Sequence, residues 1–215
     1  TTGEILAEAP VPPMHPSARR PDFSAGTGNF TGNGSDIVLR EWRDDLEGGG
    51  ARLWAYDRDF GLLWHAEQEG AWYGHHWAVR FFDVDGDGRD ELLAGGKMYD
   101  AGGRLLWVHD RDTEMLAING AHHYDAVAIG DFSGSADLDP VAFLIAGSAG
   151  VYVVDPFTGQ TRMRHRVGHA QGCVIGTMRD DMPGQQVLVA TRWGNMGILT
   201  LFSGAGQRLW TIQPD

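Results

Sequence analysis

The amino-acid sequence predicts an all-β protein, a β-propeller of four-stranded antiparallel blades, and three observations carry that reading. Four segments share one plan, in which a strand, an acidic or polar residue and a glycine turn lead into a second strand. They are LWAYDRDFGLLW (53–64), KMYDAGGRLLW (97–107), VYVVDPFTGQTRM (151–163) and LTLFSGAGQRLW (199–210). A second plan precedes each of them at matching distance: an apolar strand, a polar glycine-bearing turn and another apolar strand. Glycine occupies 31 of 215 positions and tryptophan 8, the excess expected of tight turns joining short aromatic-bearing strands. Helical periodicity is not sustained over any full window.

Taken in chain order, residues 1–28 read as an irregular lead-in, punctuated by Pro10, Pro12, Pro13 and Pro16. The blades then fill 29–215 as a single domain. Their opening strand pairs are GNFTGNGSDIVLR (28–40), RFFDVDGDGRDELLAGG (80–96), IGDFSGSADLDPVAFLIAG (129–147) and IGTMRDDMPGQQVLVAT (175–191). Trp64, Trp107, Met163 and Trp210 close successive units at spacings of 43, 56 and 47 residues. Four strands in about 45 residues is the length of one blade. A β-sandwich with coincidental spacing is the alternative. Four blades lie at the small end of the propeller range, and the chain stops just past a Leu-Trp strand. The expectation is therefore part of a larger, seven- or eight-bladed propeller, since an open array exposes sheet edges.

Composition narrows the function. A formal net charge of −12 opposes general nucleic-acid binding, which rests on neutralising phosphates. One cysteine, Cys173, excludes an intramolecular disulfide and any cysteine-based zinc site. The apolar run from Val141 to Ala146 is far too short to cross a bilayer, so no membrane partner is expected. The chain begins at Thr1 rather than Met, so a leader could have been removed.

The most specific motif is Asp83-Val-Asp85-Gly-Asp87-Gly-Arg89-Asp90-Glu91. Carboxylates of Asp83, Asp85 and Asp87, the Arg89 carbonyl and the Glu91 carboxylate stand where a calcium loop places its oxygens. Position twelve is Ala94 and the flanks are strands, which rejects an EF-hand. A polar turn held by Asx hydrogen bonds is the competing reading. The sister turn Asp131-Phe-Ser133-Gly-Ser135-Ala-Asp137-Leu-Asp139 keeps oxygens at these places with fewer charges. The turns at Asn29 and Asp180 do not keep the set.

Aligning the repeats on these turns brings Asp83, Asp131 and Thr177 into register, and eight residues before each stands a histidine: His75, His123 and His169. Equivalent positions on successive blades form an arc around a propeller axis. His76, His122 and Tyr124 adjoin the column, and Arg80 shares a strand with His75 and His76. Two chemistries are open, beside the alternative of structural histidines capping strand ends. Converging imidazoles could bind a transition metal, with Gln171 or a carboxylate as a further ligand. Alternatively, one histidine is a general base beside a cationic clamp made from Arg80, Arg192 or Arg20.

The segment GHHWAVRFFDVDGDGRDELLAGG (74–96) with its Leu-Leu-Trp hairpin resembles the calcium-binding propeller repeats of the FG-GAP type. More narrowly it resembles the propeller-type rhamnogalacturonan lyases, polysaccharide lyase family 11, with VGHAQGCVIGTMRDDMPGQQVLVA (167–190) approximating their later G-H segment. That resemblance covers about 29–210. It implies an eight-bladed, extracellular or periplasmic enzyme that cleaves acidic, uronic-acid-containing polysaccharide by β-elimination, assisted by calcium. The calcium ligands and His169 carry over by position. The aspartates that the family places after the G-H strand are replaced here by Thr177-Met-Arg.

In the lyase reading His75, His76, His123 and His169 face the central cleft, and one of them, or Tyr124, moves the proton. Arg80 or Arg192 holds the substrate carboxylate, Arg20 and His122 stand among the substrate-binding candidates, and Trp72, Tyr73 and Trp77 stack on sugar rings. The alternative is a non-catalytic, calcium-braced module binding carbohydrate or protein. A third reading is a redox propeller with a histidine-bound metal on its axis.

Overall fold

The computed structural model describes residues 4–5, 7–13, 23–43, 50–69, 79–109, 123–194 and 197–213. Among these residues sixteen strands form four sheets. The first holds β1 (Phe23–Gly28), β2 (Asp36–Arg43), β3 (Gly50–Tyr56) and β4 (Leu62–Glu69). The second holds β5 (Val79–Phe82), β6 (Glu91–Ala94), β7 (Lys97–Tyr99) and β8 (Leu105–Val108). The third holds β9 (Ala126–Gly130), β10 (Val141–Ile145), β11 (Val151–Val154) and β12 (Thr161–His165). The fourth holds β13 (Ala170–Gly176), β14 (Gln186–Thr191), β15 (Leu199–Ser203) and β16 (Arg208–Ile212). Order within each sheet follows chain order and every pairing is antiparallel, so the sheets are four meander blades. No helix occurs among the described residues, and none long and apolar enough to cross a membrane.

The first strands approach one another in sequence, β1 to β5, β5 to β9 and β9 to β13. They form the inner edge of the array, and β4, β8, β12 and β16 the outer. Blade 1 begins at Phe23, six residues before the start expected at Asn29. The sequence FSAGTG hides its innermost strand behind glycines that the packing requires. A Cβ added at Gly26 or Gly28 would stand 2.7 or 2.9 Å from the Phe81 ring of β5.

Period-two alternation explains the core. In β10, Val141, Phe143 and Ile145 face blade 4, packing with Val187, Val189 and Phe202. Ala142 and Leu144 face blade 2, with Leu93, Met98 and Trp107. Blade 3 is covered on both faces, so VAFLI and VYVV are apolar throughout, and full burial of each large side chain contributes about 1.5–3 kcal/mol. At the outer edge the Leu-Trp repeat has a specific use. The indole N–H of Trp64 donates to Ala101 O at 2.9 Å, and that of Trp107 to Pro156 O at 2.8 Å, each reaching the hairpin turn of the next blade. Gly103 and Gly159 lie under these rings at positive φ, where a Cβ would come within 2.6 Å of the indole.

Candidate functional site

The two ends of the inner strands carry different residues. At one end the strands run into the polar turns, which are joined from blade to blade. Asp90 N donates to Asn29 O at 2.8 Å and Asn29 Nδ2 to Gly88 O at 2.9 Å, while Gln185 N donates to Phe132 O at 3.0 Å. The opposite end carries the beginnings of β1, β5, β9 and β13, about 15 Å away by the rise of these strands.

At that opposite end, His123 and Asp125 precede β9, and His169 and Gln171 bracket Ala170, the first residue of β13. Alternation puts His123 and Asp125 on one side and Tyr124 on the other. Tyr124 is fully buried in the core between blades 2 and 3, with its hydroxyl 2.8 Å from Nδ1 of the buried His109. That position makes it a packing residue, in contrast to the proton-transfer role expected for it. His123 and His169 meet across the seam of blades 3 and 4 with ring centroids 5.9 Å apart. Asp125, 1% exposed, lies between them: its Oδ2 is 3.0 Å from His123 Nε2 and 3.7 Å from His169 Nε2. The amide of Gln171 donates to Asp125 Oδ1 at 2.5 Å.

The donor atoms of His123, Asp125 and His169 all lie within 4.8 Å of one another. Ser148 Oγ stands 2.9 Å from His169 Nδ1. When Nδ1 donates to that hydroxyl, the lone pair of Nε2 points into the cluster. Two buried acceptors there, His169 Nε2 and Gln171 Oε1, have no hydrogen-bond partner among the described residues. Burial holds the His169 imidazole below its ordinary pKa, with His123 adding to that effect and Asp125 opposing it, so His169 is neutral at neutral pH. Two imidazoles, a carboxylate and an amide oxygen are a donor set that fits a divalent cation.

At the turn end, carboxylate oxygens of Asp83, Asp85 and Glu91 lie within 4.8 Å of one another. Burial, followed by Asp85, Asp87 and Asp83, pushes the Glu91 carboxyl up to about 7. Gly86 and Gly88 take positive φ, and Asp83 accepts backbone N–H bonds from Gly86 and Gly88 at 2.8 and 2.9 Å. Asp87 accepts from Arg89 N at 2.8 Å and lies outside the tight group. Mutually repelling carboxylates around a glycine turn fit a hard cation such as calcium. In the sister turn, Asp131 accepts from Ser133 Oγ and N at 2.7 and 3.0 Å, and those bonds hold it below the usual carboxylate range. That turn satisfies itself.

Arg80 is exposed on β5, with its guanidinium donating to Val79 O at 2.7 Å. Its charge reaches Cys173 on β13, where burial pushes the thiol up to about 11 and Arg80 opposes the rise. Arg192 lays its guanidinium 4.7 Å over the Trp193 ring, and its backbone N–H donates to His169 O at 2.9 Å. Arg20, Trp72, Tyr73, His75, His76, Trp77 and His122 lie outside the described residues. Sequence reasoning missed Asp125. Its signal was available in the parallel spacing His123-x-Asp125 and His169-x-Gln171, two same-side pairs at equivalent blade positions.

No family model and no curated protein sequence matches this chain. Among solved structures it is similar to rhamnogalacturonan lyase YesW, at 20% identity and TM-score 0.63 over 88% of this chain and 31% of that one. It is similar to a Bacillus licheniformis rhamnogalacturonan lyase of PL11, at 19% and 0.63 over 87% and 30%. It is also similar to the exotype rhamnogalacturonan lyase YesX, at 24% and 0.65 over 87% and 31%. The chain spans about a third of the length of these structures. The likeness establishes the propeller-blade fold.

Proposed function

We propose that the chain bears the catalytic face of a lyase that cleaves an acidic, rhamnogalacturonan-like polysaccharide by β-elimination outside the cytoplasm. The observation that carries this reading is the cluster of His123, Asp125, His169 and Gln171 at the beginnings of two neighbouring inner strands, on blades whose fold is shared with rhamnogalacturonan lyases. In β-elimination the proton α to the uronate carboxylate leaves, its electron pair forms the new double bond, and the glycosidic oxygen departs. Negative charge then develops on the carboxylate. His123, Asp125, His169 and Gln171 would hold a divalent cation, which would supply positive charge against it. Ser148 fixes the tautomer of His169, Gln171 holds Asp125 in place, and Asp125 balances the charge of the cluster. His75 and His76, one blade earlier in the same repeat position, are the candidates for the base. The Asp83–Glu91 loop, with Asp87 and the Arg89 carbonyl, holds calcium and braces blades 1 and 2.

The test is ultraviolet detection of the unsaturated uronate product over a panel of acidic polysaccharides, with and without chelator. Product from one substrate, lost on chelation and lost in His123→Ala/His169→Ala, is the expected result. Undiminished product from that double variant overturns the assignment.

A further inference from the structure

We infer that Trp193 and Arg192 form a sugar subsite on the rim of blade 4, in which the indole takes the C–H face of a uronic acid residue and the guanidinium its carboxylate. This rests on the reading of the strand-beginning end as a face for acidic sugars, and it places a further residue of the bound polymer beside the cluster of His123 and His169. The location follows from register. β14 runs antiparallel to β13, and its last residue, Thr191, pairs with Ala170, the first residue of β13. The turn that leaves β14 therefore opens at the end that carries His169, and Arg192 N donates to His169 O at 2.9 Å.

Trp193 is held there against its own conformational preference. Its φ is 54°, and Phe60 is the one other non-glycine residue at positive φ among the described residues. In that region the Cβ of an L-residue crowds the backbone, so a bulky side chain is strained where glycine fits without cost. The same turn gives glycine its other left-handed positions, Gly194 at 83° and Gly197 at 84°. Hydrogen bonds close the turn at its base, from Thr191 N to Ile198 O at 3.0 Å and from Ile198 N to Thr191 Oγ1 at 3.2 Å. Core packing does not offset the strain, because Trp193 is 62% exposed. A large ring that is both strained and set in water works against stability, and such outliers collect where ligands are held.

The second observation is the charge beside the ring. The Arg192 guanidinium carbon lies 4.7 Å from the centre of the Trp193 ring, a cation–π contact that sets the two exposed side chains together. Both stand past the end of β14, so strand alternation does not orient them, and the contact alone fixes their pairing. In a chain of net charge −12 this places a positive charge and an apolar ring side by side at the rim, where a local field outweighs the global one. A uronic acid residue has the matching surface, an apolar C–H face with a carboxylate at its edge. The planar guanidinium can meet that carboxylate through two parallel N–H donors, and the indole offers the sugar face a rigid area. A neutral sugar would use the ring alone, and a simple anion the guanidinium alone.

Calorimetric titration with trigalacturonate and with its methyl ester tests the assignment. The wild type is expected to bind the acid about tenfold more tightly than the ester, the worth of a charged hydrogen-bonding pair. Arg192→Gln keeps the backbone bond to His169 and is expected to remove most of that preference. Trp193→Ala is expected to weaken both ligands about tenfold, and Trp193→Phe only about twofold. Trp193→Gly supplies a readout that a structural role would not: affinity falls as in Trp193→Ala, while the melting temperature stays at or above that of the wild type. Undiminished affinity in Trp193→Ala overturns the subsite, as does a Trp193→Gly protein that melts well below the wild type. Equal binding of acid and ester by the wild type, or an undiminished preference in Arg192→Gln, also overturns it. In the product assay Trp193→Ala is expected to raise KM about tenfold with kcat nearly unchanged, because the subsite holds substrate and transition state alike. An active lyase whose KM is unmoved in Trp193→Ala loses only the subsite. Acid-selective binding that depends on Trp193, in a protein without lyase activity, loses only the reaction.

Discussion

Asp83, Asp85 and Glu91 come from nine consecutive residues at the turn end of the inner strands, whereas Asp125 and His169 come from different blades and are 44 positions apart. The first group forms with a single turn and needs only Gly86, Gly88 and the ends of β5 and β6 to shape it. The second exists only when β13 packs beside β9. Donor chemistry differs in the same direction. The turn offers carboxylates, a hard set suited to calcium, and the seam offers imidazole nitrogen with two oxygens. A continuous loop is suited to bracing the blade that contains it. A cluster drawn from two blades at the mouth of the array is suited to meeting a ligand.

The largest expected effect breaks the comparison if both clusters respond alike. His123→Ala/His169→Ala should cut lyase turnover by about 10²–10³-fold, the typical worth of electrostatic stabilisation in a site. Asp83→Asn/Asp85→Asn should leave turnover of the folded protein within a small factor. Comparable losses in the two variants would mean that the loop also serves the reaction.

Calcium removal should act in the opposite order. With free calcium near a hundred times its dissociation constant, binding stabilises by about 2.7 kcal/mol, so chelation should lower the melting temperature by about 5–10 °C. The drop should vanish in Asp83→Asn/Asp85→Asn and persist in His123→Ala/His169→Ala. Persistence in the loop variant would move calcium to another site.

Titration gives a smaller effect with opposite signs at the two clusters. The folded Glu91 carboxyl, at about 7, lies above its ordinary 4.5. In chelator its contribution to stability is complete below about 4.5 and is lost as pH rises through about 7. The His169 imidazole lies below its ordinary 6.5, so its contribution is present above 6.5 and is lost as pH falls. Melting curves across pH should therefore flatten on the alkaline side in Glu91→Gln and on the acid side in His169→Ala.

The smallest effects concern supporting residues. Ser148→Ala frees His169 Nδ1 and should weaken metal affinity of the seam about tenfold, measured by titration with manganese or zinc. Asn29→Ala removes the hydrogen bonds to Gly88 O and from Gly34 N and should cost about 1 kcal/mol by denaturant melt. Unchanged values in both would confine each cluster to its direct ligands.

The loop was legible because its residues are contiguous and its glycines mark the turn. Blade count was legible for a related reason: the hairpins repeat, and Trp64 and Trp107 recur where each reaches the next blade. The histidine register gave one half of the seam cluster, since equivalent positions on neighbouring blades lie close. Asp125 escaped because a lone aspartate before an apolar strand has the pattern of a strand-initiating residue. The burial of Arg40 escaped because an arginine in the alternating strand IVLREWR reads as the solvent face, whereas the fold leaves it 1% exposed. Strand β1 escaped because FSAGTG lacks the side chains that advertise a strand.

By itself the amino-acid sequence determined the blades, their order, the oxygen-rich loop and the spacing that puts histidines at equivalent places, because these follow from periodicity and turn chemistry over short stretches. Only the tertiary structure decided which neighbours meet: Asp125 between two imidazoles, and Tyr124 turned into the core toward His109. The physical reason is that alternation decides which side of a strand a residue takes, whereas the packing of one blade on the next decides what waits on that side.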